Sequence, residues 1–197
     1  LKASEITEAW QKGKLRALGY NEKPLRIAYS YVLFDSEDEV NADFIEKYKR
    51  CHPLKSEKYF VNYGETVKIP ASYLSRLGFG DTPTLRKLVQ EGKIDGEIKT
   101  VPTKEGKRTA TFVNVSENST TRTILKNLRN SNKNIVSVDA YTKDYNLTPA
   151  AFVNKVKQDL MDGKVEAISE YIFNDDERKI YIDISNPKNA EYLASLR

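Results

Sequence analysis

Apolar positions along the chain change period several times, and each change predicts an element. From Ser4, read as a cap, Ile6, Trp10, Leu15 and Leu18 recur at helical spacing until Gly19 breaks the pattern, and Trp10 is assigned to the core. Leu25 to Phe34 is dense in β-branched and aromatic residues and reads as a strand. Ser36 and Glu39 form a capping box for a helix with Val40, Phe44, Ile45 and Tyr48 on one face, which Pro53 ends. Thr66 to Ile69 is a short strand. Pro70 opens a short helix, Ala71 to Leu77, closed by Gly78.

After the turn at Gly80-Asp81, Thr82 as N-cap and Pro83 as first helical residue start a second helix that stops at Gly92. Its period turns Leu85, Leu88 and Val89 inward and Thr84, Lys87 and Gln90 outward, with Arg86 on the flank. Two strand-like runs follow, Ile94–Val101 and Thr109–Val115. The turn between them carries Lys104, Lys107 and Arg108. Two short helices and then a basic hairpin suit duplex DNA. A helix can set its outward side chains against base edges in the major groove, and cations on a hairpin can reach the adjacent phosphates.

The strings Ile69-Pro70-Ala71-Ser72-Tyr73-Leu74-Ser75-Arg76-Leu77-Gly78 and Thr82-Pro83-Thr84-Leu85-Arg86-Lys87-Leu88-Val89-Gln90-Glu91-Gly92-Lys93-Ile94 resemble the MerR/excisionase type of winged helix-turn-helix, over about residues 66–116. The resemblance implies DNA binding through the second helix and the wing. The Arg-Tyr pair common in the family's wing is replaced here by Lys107-Arg108-Thr109-Ala110-Thr111-Phe112. The N-terminal third matches nothing in the pattern.

A weaker second copy spans about 135–185. Gly163-Lys164-Val165 echoes Gly92-Lys93-Ile94, and Thr148-Pro149 echoes Thr82-Pro83 ahead of a helix to Met161. Ile135–Tyr141 would precede that helix, and Lys164–Phe173 with Arg178–Ile184 would form its hairpin. The turn of that hairpin, Asn174-Asp175-Asp176-Glu177, should repel phosphate, leaving Asn154, Gln158 and Met161 for a protein partner or a second copy of the chain. A stabilising appendage packed on the N-terminal third is the alternative role. Between the copies, Ser119–Asn132 fits a helix whose polar side, Arg122, Lys126 and Arg129, would extend the basic face. Pro187–Leu196 is a short closing helix.

The expected fold is therefore α+β, with tandem winged-helix modules (65–133 and 134–197) behind a small helix–strand–helix region (1–64). Charge separates the same segments. The whole chain carries +4, but 65–133 has 13 Lys/Arg against 7 Asp/Glu, net +6, whereas 134–197 has 8 against 11, net −3. The predicted DNA contacts are Thr84, Arg86, Lys87, Gln90, Lys93, Lys99, Lys104, Lys107, Arg108, Arg122, Lys126 and Arg129.

Candidate chemistry is sparse. One cysteine, Cys51, precludes an intrachain disulfide and fits a reducing compartment, and with one histidine, His52, it cannot build a four-ligand zinc site. As neighbours, these two side chains are expected to diverge, as a helix-end thiol and a surface imidazole. No Gly-rich phosphate loop occurs. The sequons at Asn114, Asn118 and Asn146 carry no weight, since Leu1–Glu5 lacks a signal-like stretch and a cytoplasmic location is expected. No 18-residue apolar run exists, so no membrane partner is expected. The reading is a non-enzymatic duplex-DNA binder without metal or cofactor, a small transcriptional or recombination regulator of phage or mobile-element type. The alternative is a protein-interaction module, such as an inhibitor or assembly factor.

Overall fold

A computed structural model describes residues 3–21, 31–104, 106–141 and 145–197. The fold is mixed α+β. In chain order it runs α1 (Ala3–Gln11), β1 (Gly19–Asn21), β2 (Tyr31–Leu33), α2 (Glu39–Cys51), β3 (Leu54–Lys55), β4 (Thr66–Pro70), α3 (Ala71–Arg76), α4 (Thr82–Gln90), β5 (Gly96–Thr103), β6 (Gly106–Ser116), α5 (Thr120–Ser131), β7 (Ile135–Ser137), α6 (Pro149–Met161), β8 (Glu170–Tyr171), β9 (Tyr181–Asp183) and α7 (Pro187–Ser195). Of the strand expected over Leu25–Phe34, the part through Ser30 lies outside the described residues. Tyr31–Leu33 is extended and pairs antiparallel with Gly19–Asn21. Among the described residues no helix is long and apolar enough to cross a membrane.

The largest sheet has the order β4-β6-β5, all antiparallel, so β6 is its centre and β5 an open edge. Helices α3 and α4 lie against it over a core of Ile69, Leu74, Phe79, Leu85, Val113 and Leu125. Gly78 ends α3 at φ 85°, a left-handed position that few side chains tolerate, and a Cβ there would meet Ile135 at 2.9 Å. Gly96 is needed for proximity: a Cβ would sit 2.4 Å from the Phe112 carbonyl oxygen.

Two helix starts fall on aspartates rather than on the hydroxyl residues favoured by the sequence. Asp81, not Thr82, caps α4, because its carboxylate accepts from the Thr84 N–H at 2.7 Å while Thr82 is already helical. Asp38, not Ser36, caps α2, accepting from the Val40 and Asn41 N–H groups. Ser4 lies inside α1. Replacing Asp81 by Ala should therefore cost about 1 kcal/mol in urea unfolding. Thr82→Ala should cost clearly less, and the opposite ranking would return the cap to Thr82.

The second hairpin does not form as expected. β7 pairs antiparallel with β9, but Glu170–Tyr171 pairs in parallel with β3 of the N-terminal third. A single backbone bond, Ile168 N–H to the Tyr181 carbonyl, links the two would-be strands. Ile172 and Phe173 are drawn into the first core instead, where Phe173 meets Phe79 edge-on at 5.6 Å. The hairpin register is lost because both residues are buried in a core that belongs to another part of the chain.

Helix α6 matches its expected span and is capped by Thr148. Phe152, Val156 and Leu160 join Val165, Ile182 and Leu193 in a second core. The Met161 face is not left open, since α6 packs on α2, and Arg50 Nη1 donates to the Met161 carbonyl at 3.2 Å. Met161 is thus taken up in packing on the N-terminal third. Asn154 and Gln158 are exposed.

Asp159, only 1% exposed, is the polar centre of this region. Lys155 (2.5 Å), Lys164 (2.9 Å) and the Tyr192 hydroxyl (2.8 Å) donate to it. Burial pushes its carboxyl up, but the three donors outweigh burial and hold it below the ordinary carboxylate range. A depressed folded-state pKa adds stability above the unfolded value, and that stability is lost as pH falls through the folded value. The contribution of Asp159 to thermal stability should be constant above about pH 5 and be lost below about pH 4, so the acid drop should be shallower in Asp159→Asn. Equal acid sensitivity of both proteins would show that Asp159 carries none of it.

Candidate nucleic-acid interface

The exposed side of α4 and the far end of the β5–β6 hairpin hold six of the twelve predicted contacts. Lys87 and Gln90 are exposed and Thr84 is half-buried, its N–H taken by the Asp81 cap. Lys104, Lys107 and Arg108 are exposed around the Thr103–Gly106 turn. Among the described residues none of these three has a carboxylate within ion-pair distance, and Glu105 lies outside the described residues.

Other cations of this face are already engaged. Arg86 does not point away from the protein. Its Nε donates to Thr111 Oγ1 (3.3 Å) and its Nη2 to the Thr109 carbonyl (3.2 Å), tying α4 to β6. Glu91 is shared by Lys93 (2.8 Å) and Lys87 (3.8 Å), and Glu97 by Lys99 (2.7 Å) and Lys68. Hydrogen bonds from Lys93 and from Lys68 hold the Glu91 and Glu97 carboxyls below their ordinary value. A phosphate arriving at this face must compete with those two carboxylates.

Helix α5 differs most from expectation. Arg122, Lys126 and Arg129 lie at i, i+4 and i+7, and this stripe faces the acidic segment after β8 rather than solvent. Lys126 Nζ reaches Asp175 and Asp176, both at 2.9 Å. Arg122 reaches Asp175 at 3.3 Å, and Arg129 Nη1 donates to Asp176 Oδ2 at 2.8 Å. Asp176 is fully buried and the Arg129 side chain is 2% exposed. The Arg129 guanidinium lies between Phe79 (4.5 Å) and Tyr181 (3.5 Å). Burial pushes it below its usual value, and the Asp176 charge opposes that. Asn174–Asp176 is a 3-10 turn docked on α5, not an exposed wing tip. The three α5 cations are committed to that turn.

The Cys51–His52 pair also departs from expectation. His52 is extended at the end of α2, and its ring folds back to stack on Tyr48 at 3.8 Å and 6°. This brings Nδ1 to 3.0 Å from both Cys51 Sγ and the Tyr48 carbonyl, with Nε2 3.8 Å from Glu5. The side chains converge because stacking on the residue four positions earlier turns the imidazole toward the helix. Cys51 is buried, and burial pushes its thiol up to about 11. Nucleophilic attack needs the thiolate, which this environment suppresses at neutral pH. Burial also pushes the His52 pKa down. Among the described residues no group of three or more His, Cys, Asp or Glu is placed to hold a metal ion.

Compared with known proteins, the chain matches no family model, no curated protein and no solved structure.

Proposed function

We propose that the chain is a non-enzymatic binder of double-stranded DNA, using residues 66–116 as a winged helix with α4 in the major groove and the β5–β6 hairpin along the backbone. The observation that carries this reading is the exposed trio Lys104, Lys107 and Arg108 at the end of a hairpin that Arg86 ties to α4. A helix presenting Lys87 and Gln90 beside such a hairpin offers base-edge donors and phosphate cations on one side of the protein. The segment after residue 133 supports this unit as a structural companion, lending Ile172 and Phe173 to its core. A small regulator of transcription or recombination, of phage or mobile-element type, is the role that fits such a binder. Docking to a protein through the acidic turn is disfavoured, because Asp175 and Asp176 are spent on α5.

Fluorescence anisotropy with a mixed-sequence duplex tests the reading. Affinity should fall steeply between about 50 and 200 mM salt, since each phosphate neutralised contributes roughly −0.9 to the slope of log K against log salt. Absence of duplex binding at the lowest salt, or binding indifferent to salt, would overturn it.

A further inference from the structure

An open groove of about 1120 Å³ runs beside α3, and its walls come from two parts of the chain that the sequence keeps apart. One wall is the exposed side of α3, with Ser72 and Arg76. The other is β3 and the segment after it, with Lys55, Lys58 and Asn62. Two links hold the walls in place. β3 pairs with β8, and the Tyr73 hydroxyl donates to Glu170 Oε2 at 2.6 Å while accepting from the Ser56 hydroxyl at 2.9 Å.

All three cations of the groove are positioned by aromatic rings. Lys55 Nζ lies 3.8 Å from the Phe60 centroid, Lys58 Nζ 5.2 Å from Tyr59, and the Arg76 guanidinium 5.1 Å from Tyr73. Among the described residues none of the three has a carboxylate within 4.0 Å, although Glu57 and Glu170 also line the groove. This contrasts with Lys87, Lys93 and Lys99, which share Glu91 and Glu97. Rings hold the three charges in position without neutralising them, which is the arrangement an anion requires.

The anion can be narrowed further. Phe60 and Tyr73 are buried at the walls with a cation over each ring, and the half-buried Tyr59 has Lys58 at 5.2 Å and Tyr73 packed at 4.5 Å, so no ring of the groove offers a free platform for a nucleobase. What the groove presents is charge and hydroxyl or amide groups, the chemistry of a sugar–phosphate backbone. Its place agrees. In helix-turn-helix docking the helix before the recognition helix crosses the DNA backbone, and here that helix is α3, whose exposed side is a wall of the groove.

We propose that this groove is a second backbone-contacting surface for duplex DNA, with Lys55, Lys58 and Arg76 holding phosphates outside the segment read by α4. It rests on the duplex-binding reading above. It also gives the N-terminal third, which the winged-helix resemblance leaves unmatched, a share of the binding.

The test uses the full chain and a duplex of about 30 base pairs, with anisotropy titrations over a range of salt. Three proteins are compared: wild type, Lys55→Gln/Lys58→Gln/Arg76→Gln, and Lys104→Ala/Lys107→Ala/Arg108→Ala. The groove variant should bind more weakly at low salt, with a slope shallower by about 2 to 3, at roughly 0.9 per phosphate lost. If wild type binds and the hairpin variant is impaired while the groove variant keeps the wild-type slope, the groove is no DNA surface and the duplex-binding reading survives. If wild type shows no salt-dependent duplex binding, that reading itself fails. A groove variant impaired on single strands but normal on duplex would also overturn the proposal. Should the triple variant melt early, Lys58→Gln alone, on an exposed turn, is measured for a slope shallower by about 0.9, and an unchanged slope counts against the groove.

Discussion

Asp176→Ala is expected to destabilise the protein by about 3–5 kcal/mol, the usual cost of removing one partner of a buried ion pair. Asp176 is fully buried and takes charge-assisted bonds from Arg129 at 2.8 Å and Lys126 at 2.9 Å. Without it, the Arg129 guanidinium stays enclosed between Phe79 and Tyr181 with no carboxylate at its Nη1. The same residue anchors the 172–176 segment, which delivers Ile172 and Phe173 to the first core, so the lost bond and the loosened packing act together. Urea unfolding followed by far-UV circular dichroism measures the effect. A control separates pairing from shape: Asp176→Leu/Arg129→Met, which removes both charges, should recover much of the loss, because a buried pair is often no better than apolar residues of similar size. A loss under about 1 kcal/mol for Asp176→Ala would mean that water reaches the pair and that α5 is not clamped.

The sequence shows both halves of that clamp but not that they pair. Arg122, Lys126 and Arg129 form a one-sided basic stripe, and Asp175-Asp176 is its acidic complement about fifty residues away. Periodicity identifies the stripe, but pairing at that separation has no local signature, and a basic stripe beside a helix-turn-helix pattern looks like a phosphate track. Elements governed by local chemistry were legible. Thr148-Pro149 starts α6, the alternation around β6 puts Val113 and Val115 in the core, and Gly78 closes α3. Where two local signals competed, the stronger acceptor won: Asp81 over Thr82 and Asp38 over Ser36, because a carboxylate satisfies the first helical N–H groups and complements the helix dipole. The expected hairpin over Lys164–Ile184 does not form, because Ile172 and Phe173 are fully buried in the neighbouring core and Glu170–Tyr171 pairs with β3. Within the candidate interface, the sequence placed the hairpin cations correctly at an exposed turn. It could not show that Arg86 is used to fix the hairpin, since that depends on Thr109 and Thr111 arriving beside α4.

The second large effect is expected at that turn. Lys104→Ala/Lys107→Ala/Arg108→Ala should lower duplex affinity about 10²–10³-fold near 0.1 M salt and flatten the salt slope by up to about 2.7, at roughly 0.9 for each of three phosphate contacts. The fold should be unaffected, because all three side chains are exposed and β5–β6 is held by a continuous antiparallel register from Gly96 opposite Val113 to Thr103 opposite Gly106. The loss should also be uniform across sequences, since backbone charge carries no base identity. Lys87→Ala and Gln90→Ala should behave differently, changing preference among duplexes by about 1–3 kcal/mol wherever either side chain meets a base edge. Arg86→Ala belongs with neither group. Its guanidinium holds the hairpin to α4, so its removal should weaken binding to every duplex by letting the hairpin swing, without flattening the slope by a full contact. A competition assay across randomised duplexes, repeated at two salt concentrations, distinguishes the three behaviours. If the hairpin variant kept the wild-type slope while losing sequence preference, the hairpin would be reading bases and the division of labour between helix and hairpin would be reversed.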